Sequence, residues 1–91
     1  MLIRSQDKTV IVNIDNIFSI AIRNINGAAA IYIGSQGTCC DMGEYSTKAK
    51  AMKVLDMIQE AYERYEYEKV FKTGLTLFET FQMPEDSEVE A

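Results

Sequence analysis

The sequence predicts an α+β domain, in which an antiparallel meander of four or five strands is packed by one long C-terminal helix and followed by a short final strand. Three observations predict it. Apolar and polar residues alternate over residues 1–45, an Asn-Gly pair interrupts an isoleucine-rich stretch, and from residue 47 apolar residues recur every three or four positions. We therefore expect the sheet over residues 1–45, the helix over 47–70 and the last strand over 75–82.

The stretch NINGAAAIYIG predicts a tight β-hairpin. Asn26-Gly27 is a favoured pair for a two-residue type I′ turn, and this turn pairs Ile22 with Ile31. Because side chains alternate between the two faces of a strand, the isoleucines of both strands then share one face.

A second hairpin is expected to turn at Ser35-Gln36, which pairs Ile33 with Thr38. Both turns place the same isoleucines on the same face of the sheet, as a consistent register requires. The apolar face predicted in this way contains Val10, Val12, Ile14, Phe18, Ile20, Ile22, Ile31, Ile33, Cys40 and Met42.

The first strands are less regular. A hairpin near Gln6-Asp7 is expected, because short β-rich stretches lie on both sides of it. At Asp15-Asn16 a two-residue turn would mix apolar and polar residues on one face. We therefore favour one long strand that bends at this point, with a tighter hairpin as the alternative.

An amphipathic helix is predicted to cover the apolar face, with Ser46 or Thr47 as its cap and Gly74 after its end. Its apolar stripe contains Ala51, Leu55, Ile58, Tyr62 and Tyr65, widened by Val54 and Ala61.

Composition limits the functional classes. The chain has 91 residues, which fit a single domain over residues 1–83 with an acidic tail over residues 84–91. It has no histidine, and its two cysteines, Cys39 and Cys40, are adjacent in a predicted strand and point to opposite faces. We therefore expect reduced cysteines, no metal site and no cofactor.

The chain also lacks the features of a membrane or secreted protein. No apolar stretch approaches the length of about 20 residues that a membrane helix needs, and the first residues, MLIRSQDK, contain no apolar signal region. We expect a cytoplasmic protein without membrane contact.

Negative charge is concentrated in the second half of the chain, where residues 51–91 contain four basic and ten acidic side chains. This charge repels phosphate, so no direct nucleic-acid binding is expected. Glu60, Glu63 and Glu66 form a possible acidic contact face on the predicted helix. A catalytic pair of carboxylates is not expected there, because no histidine or glycine-rich pocket accompanies them.

Two resemblances add to this interpretation. The segment GEYSTKAKAMKVLDMIQEAY and the later FQMPEDSEVE resemble a group of small, uncharacterised proteins of phages, prophages and other mobile elements of Gram-positive bacteria. This resemblance covers most of the chain and implies no activity. Bent strands followed by one C-terminal helix also resemble bacterial pleckstrin-homology-like domains, although too few strands are visible to complete such a barrel.

These observations predict a non-enzymatic protein-interaction module of phage or mobile-element origin with an unknown protein partner. The first alternative is an acidic nucleic-acid mimic that inhibits a DNA-binding enzyme, and the second is ligand binding or catalysis on the sheet. A homodimer is also expected, because both faces of the last strand carry apolar residues that need burial. The possible interface contains Leu77, Phe78, Phe81, Tyr32 and Ile11.

Overall fold

The computed structural model describes residues 1–17, 19–35, 38–71 and 80–90. It confirms the α+β class. In chain order the elements are β1 (Leu2–Arg4), β2 (Ile11–Asn13), β3 (Ser19–Ile25), β4 (Ala28–Ser35), β5 (Thr38–Tyr45), α1 (Lys48–Phe71) and β6 (Thr80–Gln82), with short 3₁₀ turns at Ile14–Asn16 and Asp86–Glu88.

The strands form two three-stranded sheets, with the orders β2-β1-β6 and β3-β4-β5. In the first sheet, β1 and β2 form the expected hairpin, and β6 pairs with β1 in the parallel direction. The long bent strand expected at Asp15-Asn16 is instead divided between the sheets. Here the Asn13 side chain accepts a hydrogen bond from the backbone N–H of Asp15 at 3.1 Å, which supports a 3₁₀ turn. The tighter hairpin is also wrong, because β2 and β3 do not pair.

The hairpin at Asn26-Gly27 has the predicted register, with Ile22 opposite Ile31. The φ angles of Asn26 and Gly27 are 45° and 86°, as a type I′ turn requires. Local sequence therefore determines this pairing.

The predicted register between β4 and β5 is wrong by two residues. Ser35 pairs with Thr38, so Ile33 lies opposite Cys40, and the turn itself falls outside the described residues. A β-bulge between Ile31 and Tyr32 then shifts the pairing by one residue. The bulge reverses the alternation of β5, so that Met42 and Tyr45 are both buried although they have opposite parity.

Helix α1 packs against all three strands of the second sheet. The residues expected on its stripe belong to the core or pack against it, with the exception of Leu55. Val54 and Ile58 are buried, whereas Leu55 is half-buried. Thr47 caps the helix, since its hydroxyl accepts a hydrogen bond from the Lys50 N–H at 3.2 Å. Gly74 lies outside the described residues.

The predicted apolar face forms the core. Ile31, Ile33 and Met42 are buried, and the partly buried residues packed around them include Val10, Val12, Ile14, Ile20, Ile22 and Cys40. Phe18 lies outside the described residues. Because Met1, Ile3 and Met83 of the first sheet region belong to the same core, the two sheets share one apolar interior.

Residues 84–90, which composition sets apart as an acidic tail, pack against this domain. The Tyr45 hydroxyl donates a hydrogen bond to the Pro84 carbonyl oxygen at 2.8 Å, and Val89 is only 5% exposed. The segment thus contributes to the core as well as to the surface charge.

We expect Ile58→Ala to lower the free energy of unfolding by about 2–5 kcal/mol, because it removes a buried side chain and leaves a cavity. Leu55→Ala is the control on the same helix and should cost about 1 kcal/mol, since Leu55 keeps part of its surface in water. Urea unfolding measures both. Equal losses would contradict the observed orientation of the helix.

Candidate interaction surface

The face of β3–β5 that points away from α1 carries an ordered charged and aromatic cluster. Arg23 donates from one guanidinium nitrogen to both carboxylate oxygens of Asp41, at 2.8 and 2.6 Å. The same guanidinium lies over the Tyr32 ring, 5.7 Å from its centroid. Arg23, Tyr32 and Asp41 together are called the outer-face cluster below.

Strand register explains how this cluster forms. Tyr32 on the central strand lies opposite Asp41 on β5, while Arg23 on β3 lies opposite Ala30. The small Ala30 side chain leaves room for the Arg23 side chain to cross the central strand above Tyr32. One residue from each strand therefore meets at a single place.

The ion pair contributes little to folding. The Arg23 and Asp41 side chains are 49% and 50% exposed, and solvent screens such a pair to at most about 1 kcal/mol. Its main effect is to hold the rotamer-rich Arg23 side chain in one arrangement at the surface.

Beside this cluster, the loop after β1 docks against the edge of β5 through Gln6. The Gln6 N–H donates to the Met42 carbonyl oxygen at 2.7 Å. Its side-chain NH₂ donates to the carbonyl oxygens of Glu44 and Pro84, both at 3.1 Å, and its side-chain oxygen accepts from the Glu44 N–H at 3.0 Å. These four hydrogen bonds join the first hairpin, β5 and the C-terminal segment.

A pocket of about 170 Å³ lies between this loop and β5. Its lining residues are Ser5, Gln6, Asp7, Ala30, Asp41, Met42, Gly43 and Glu44. Asp41 therefore belongs both to the outer-face cluster and to the wall of this pocket.

Asp7 holds the loop in shape. Its carboxylate accepts hydrogen bonds from the hydroxyl and backbone N–H of Thr9, at 2.6 and 3.0 Å, and from the Ser5 hydroxyl at 2.7 Å. These bonds, those from the Thr9 and Ser5 hydroxyls first, lower the pKa of Asp7 from 3.8 to about 2. A carboxylate this weakly basic is a poor proton acceptor at neutral pH.

The acidic contact face expected on the helix is only partly exposed. Glu60 and Glu63 are exposed, and Glu63 accepts a hydrogen bond from Gln59 at 3.1 Å. Glu66 is half-buried, and its hydrogen bond with Tyr62 raises the pKa of that tyrosine. Its carboxylate therefore already has a partner within the chain.

The acids of the C-terminal segment lie at the other, basic end of the helix. Asp86 accepts a hydrogen bond from the Ser46 N–H at 2.8 Å and pairs with Lys50 at 3.4 Å. The Ser46 N–H is the main cause of the lowered pKa of Asp86. Lys53 donates to the Glu90 carbonyl oxygen at 2.6 Å.

Of the residues predicted as a partner interface, the three that the structure describes do not meet in one place. Tyr32 belongs to the outer-face cluster, and Ile11 is 55% exposed on the first sheet. Phe81 packs half-buried against the core of its own chain, where β6 pairs with β1. Leu77 and Phe78 lie outside the described residues.

Sequence reasoning missed Arg23 and Asp41 as site residues. The available signal was the alternation that directs both side chains away from the isoleucine face. Their meeting also requires the β4–β5 register, and the predicted register placed Cys39 rather than Asp41 opposite Tyr32.

Comparison of the chain with protein-family models, curated proteins and solved structures gave no match. Within the described residues no group of three or more Cys, Asp or Glu side chains could hold a metal ion. No helix in the same part of the chain is long and apolar enough to cross a membrane. Cys39 and Cys40 are not joined by a disulfide.

We expect Gln6→Ala to lower the free energy of unfolding by about 1–3 kcal/mol. The substitution removes the hydrogen-bond partner of the Glu44 N–H and of the Glu44 carbonyl oxygen, and one of the two donors to the Pro84 carbonyl oxygen. Gln59→Ala is the matched control, since it removes one exposed hydrogen bond on the helix and should change stability by less than about 0.5 kcal/mol. Urea unfolding measures both. Indistinguishable losses would show that Gln6 does not hold the sheets together.

Asp7 should make stability depend on pH in acid. Its pKa is lower in the folded chain, so it stabilises the fold above about pH 4, and this contribution is lost as the pH falls toward 2. Asp7→Asn keeps an acceptor oxygen but has no titrating group. Thermal unfolding from about pH 5 to pH 2 should therefore show a steeper loss for the parent than for this variant. Parallel profiles would refute the role of Asp7.

Proposed function

We propose that the chain is a non-enzymatic protein-interaction module of phage or mobile-element origin, and that it binds a protein partner through the outer-face cluster. The observation that carries this proposal is the contact of Arg23 with both Tyr32 and Asp41 on an exposed sheet face. The assignment to mobile elements is supported by the resemblance of the helix-entry and C-terminal motifs.

The types of these side chains and their fixed arrangement both support binding. Tyr and Arg are enriched among the residues that dominate the energy of protein interfaces. Here they are already held in one arrangement, so association costs less side-chain entropy. Tyr32 is half-buried between the small side chains of Ala21 and Ala30, so part of its ring is open to a partner beside Arg23.

The acidic nucleic-acid mimic receives less support. It requires one continuous negative stripe, yet Asp86 and Glu90 contact Lys50 and Lys53 at the start of the helix. Seven positions separate Lys53 from Glu60, the first acid of the expected contact face, which corresponds to about 10 Å along a helix. Lys50 and Lys53 therefore interrupt the negative charge at the start of the helix.

Ligand binding or catalysis on the sheet is also less well supported. The pocket of about 170 Å³ is smaller than the roughly 300–1,000 Å³ of typical ligand sites. The Asp7 and Asp41 carboxylates in its wall are already engaged by neighbouring groups of the chain.

Affinity capture from lysogenic or phage-infected Gram-positive cells tests the proposal. Tyr32→Ala should reduce recovery of a specific partner at least about tenfold, as expected for loss of one aromatic anchor. Tyr67→Ala is the matched control, because Tyr67 is 64% exposed on the helix, away from the outer-face cluster.

Two outcomes would count against the proposal. Recovery that falls equally in both variants would place the interface elsewhere. Reproducible enzymatic turnover that is abolished by a single substitution would replace the non-enzymatic assignment.

A further inference from the structure

We infer that the outer edge of β3 binds a second copy of this chain, through antiparallel β3–β3 pairing about a two-fold axis. This inference does not rest on the partner proposed above, because it concerns a strand edge and not the outer-face cluster.

The two long strands at the edges of the second sheet differ in their protection. The C-terminal part of the β5 edge is covered by Gln6, which bonds to Met42 and Glu44. Among the described residues, no strand pairs with the outer edge of β3. β3 spans seven residues, Ser19–Ile25, and contains no Pro, Gly or Lys, the residues that commonly block edge pairing.

The backbone of β3 offers regular bonding groups at this edge. In a two-residue hairpin the residues beside the turn, here Ile25 and Ala28, form a hydrogen-bonded pair. Bonded and non-bonded pairs then alternate along the strand. The residues of β3 whose N–H and C=O groups point away from β4 are therefore Ile20, Ile22 and Asn24.

A register with Ala21 opposite its own copy brings together compatible side chains on both faces of the sheet. On the inner face it pairs Ile20 with Ile22 of the second copy. Both isoleucines are only half-buried in one chain, whereas their neighbours Ile31 and Ile33 on β4 are 0% and 5% exposed. The apolar layer of the core therefore continues from one chain into the next.

The outer face of this register carries no opposed like charges. Arg23 lies opposite Ser19 of the second copy, and its guanidinium is already paired with Asp41. Ala21 meets a second alanine, which lets the strands approach closely. An isologous contact of this kind closes at two chains.

Sedimentation equilibrium of the intact chain at micromolar concentrations tests the dimer. We expect a concentration-dependent mass between one and two chains. Ala21→Lys should weaken the dimer at least about tenfold, because it sets two like charges directly opposite each other. Ala21→Ser is the control and should leave the dimer unchanged. Unchanged helix content by circular dichroism shows that the lysine variant is folded.

Cross-linking tests the register, in a chain carrying Cys39→Ser and Cys40→Ser. In the proposed register Ala21 and its copy form a non-hydrogen-bonded pair. The Cα atoms of such an antiparallel pair are about 4.5 Å apart, within the range of a disulfide. Ala21→Cys should therefore form a disulfide-linked dimer under mild oxidation. Ser19→Cys is the control and should not form this disulfide, because residue 19 lies opposite Arg23 of the second copy and not opposite itself.

Three results would overturn the inference. One is a single-chain mass at every concentration, and another is the absence of a selective cross-link at position 21. The third is a dimer that survives Ala21→Lys but dissociates on Phe78→Asp, which would assign the interface to the C-terminal segment. Tyr32→Ala should leave the dimer intact, because Tyr32 does not lie on the β3 edge. The dimer and the proposed partner binding are therefore tested separately, and the absence of a dimer would not contradict the proposed function.

Discussion

The fold depends on the docking of Gln6 against β5. The strands of the first sheet contain only three residues each, so this sheet could not bury enough surface alone. Gln6 uses both donors and the acceptor of its amide to join the sheets and Pro84. Glu at this position would offer no donors and would place a charge beside two carbonyl oxygens. A neutral amide therefore fits this position.

The bulge in β5 makes this docking possible. By reversing the alternation it turns Tyr45 inward, and the Tyr45 hydroxyl reaches the same Pro84 carbonyl oxygen that Gln6 bonds. Burial and the nearby carboxylates raise the pKa of Tyr45, so its hydroxyl remains a donor. At Gly43 a Cβ would lie 3.2–3.3 Å from Gln6 and the Tyr45 ring. Glycine here lets the two side chains approach β5 together.

Short stretches of sequence predicted the β3–β4 hairpin and the helix, because neither depends on distant residues. Asn26-Gly27 specifies one register by turn geometry alone, and the helix follows from its periodicity. The β4–β5 register was not predictable in this way, because pairing Ile33 with Thr38 or with Cys40 puts the same residues on the same face. The outer-face cluster depends on that register. Tyr32 could therefore be selected as a surface residue, while its contact with Arg23 and the Arg23–Asp41 pair could not.

The C-terminal segment shows why composition alone misleads about surface charge. Residues 84–90 are rich in acids, yet Val89 is buried and Asp86 is used to bond the Ser46 N–H and Lys50. Glu88 in turn accepts a hydrogen bond from the Glu85 N–H at 2.9 Å. Much of this negative charge thus stabilises the packing of the segment onto the helix start. The acidity of the chain is therefore weaker evidence for an electrostatic partner than the ordered Arg and Tyr side chains on the second sheet.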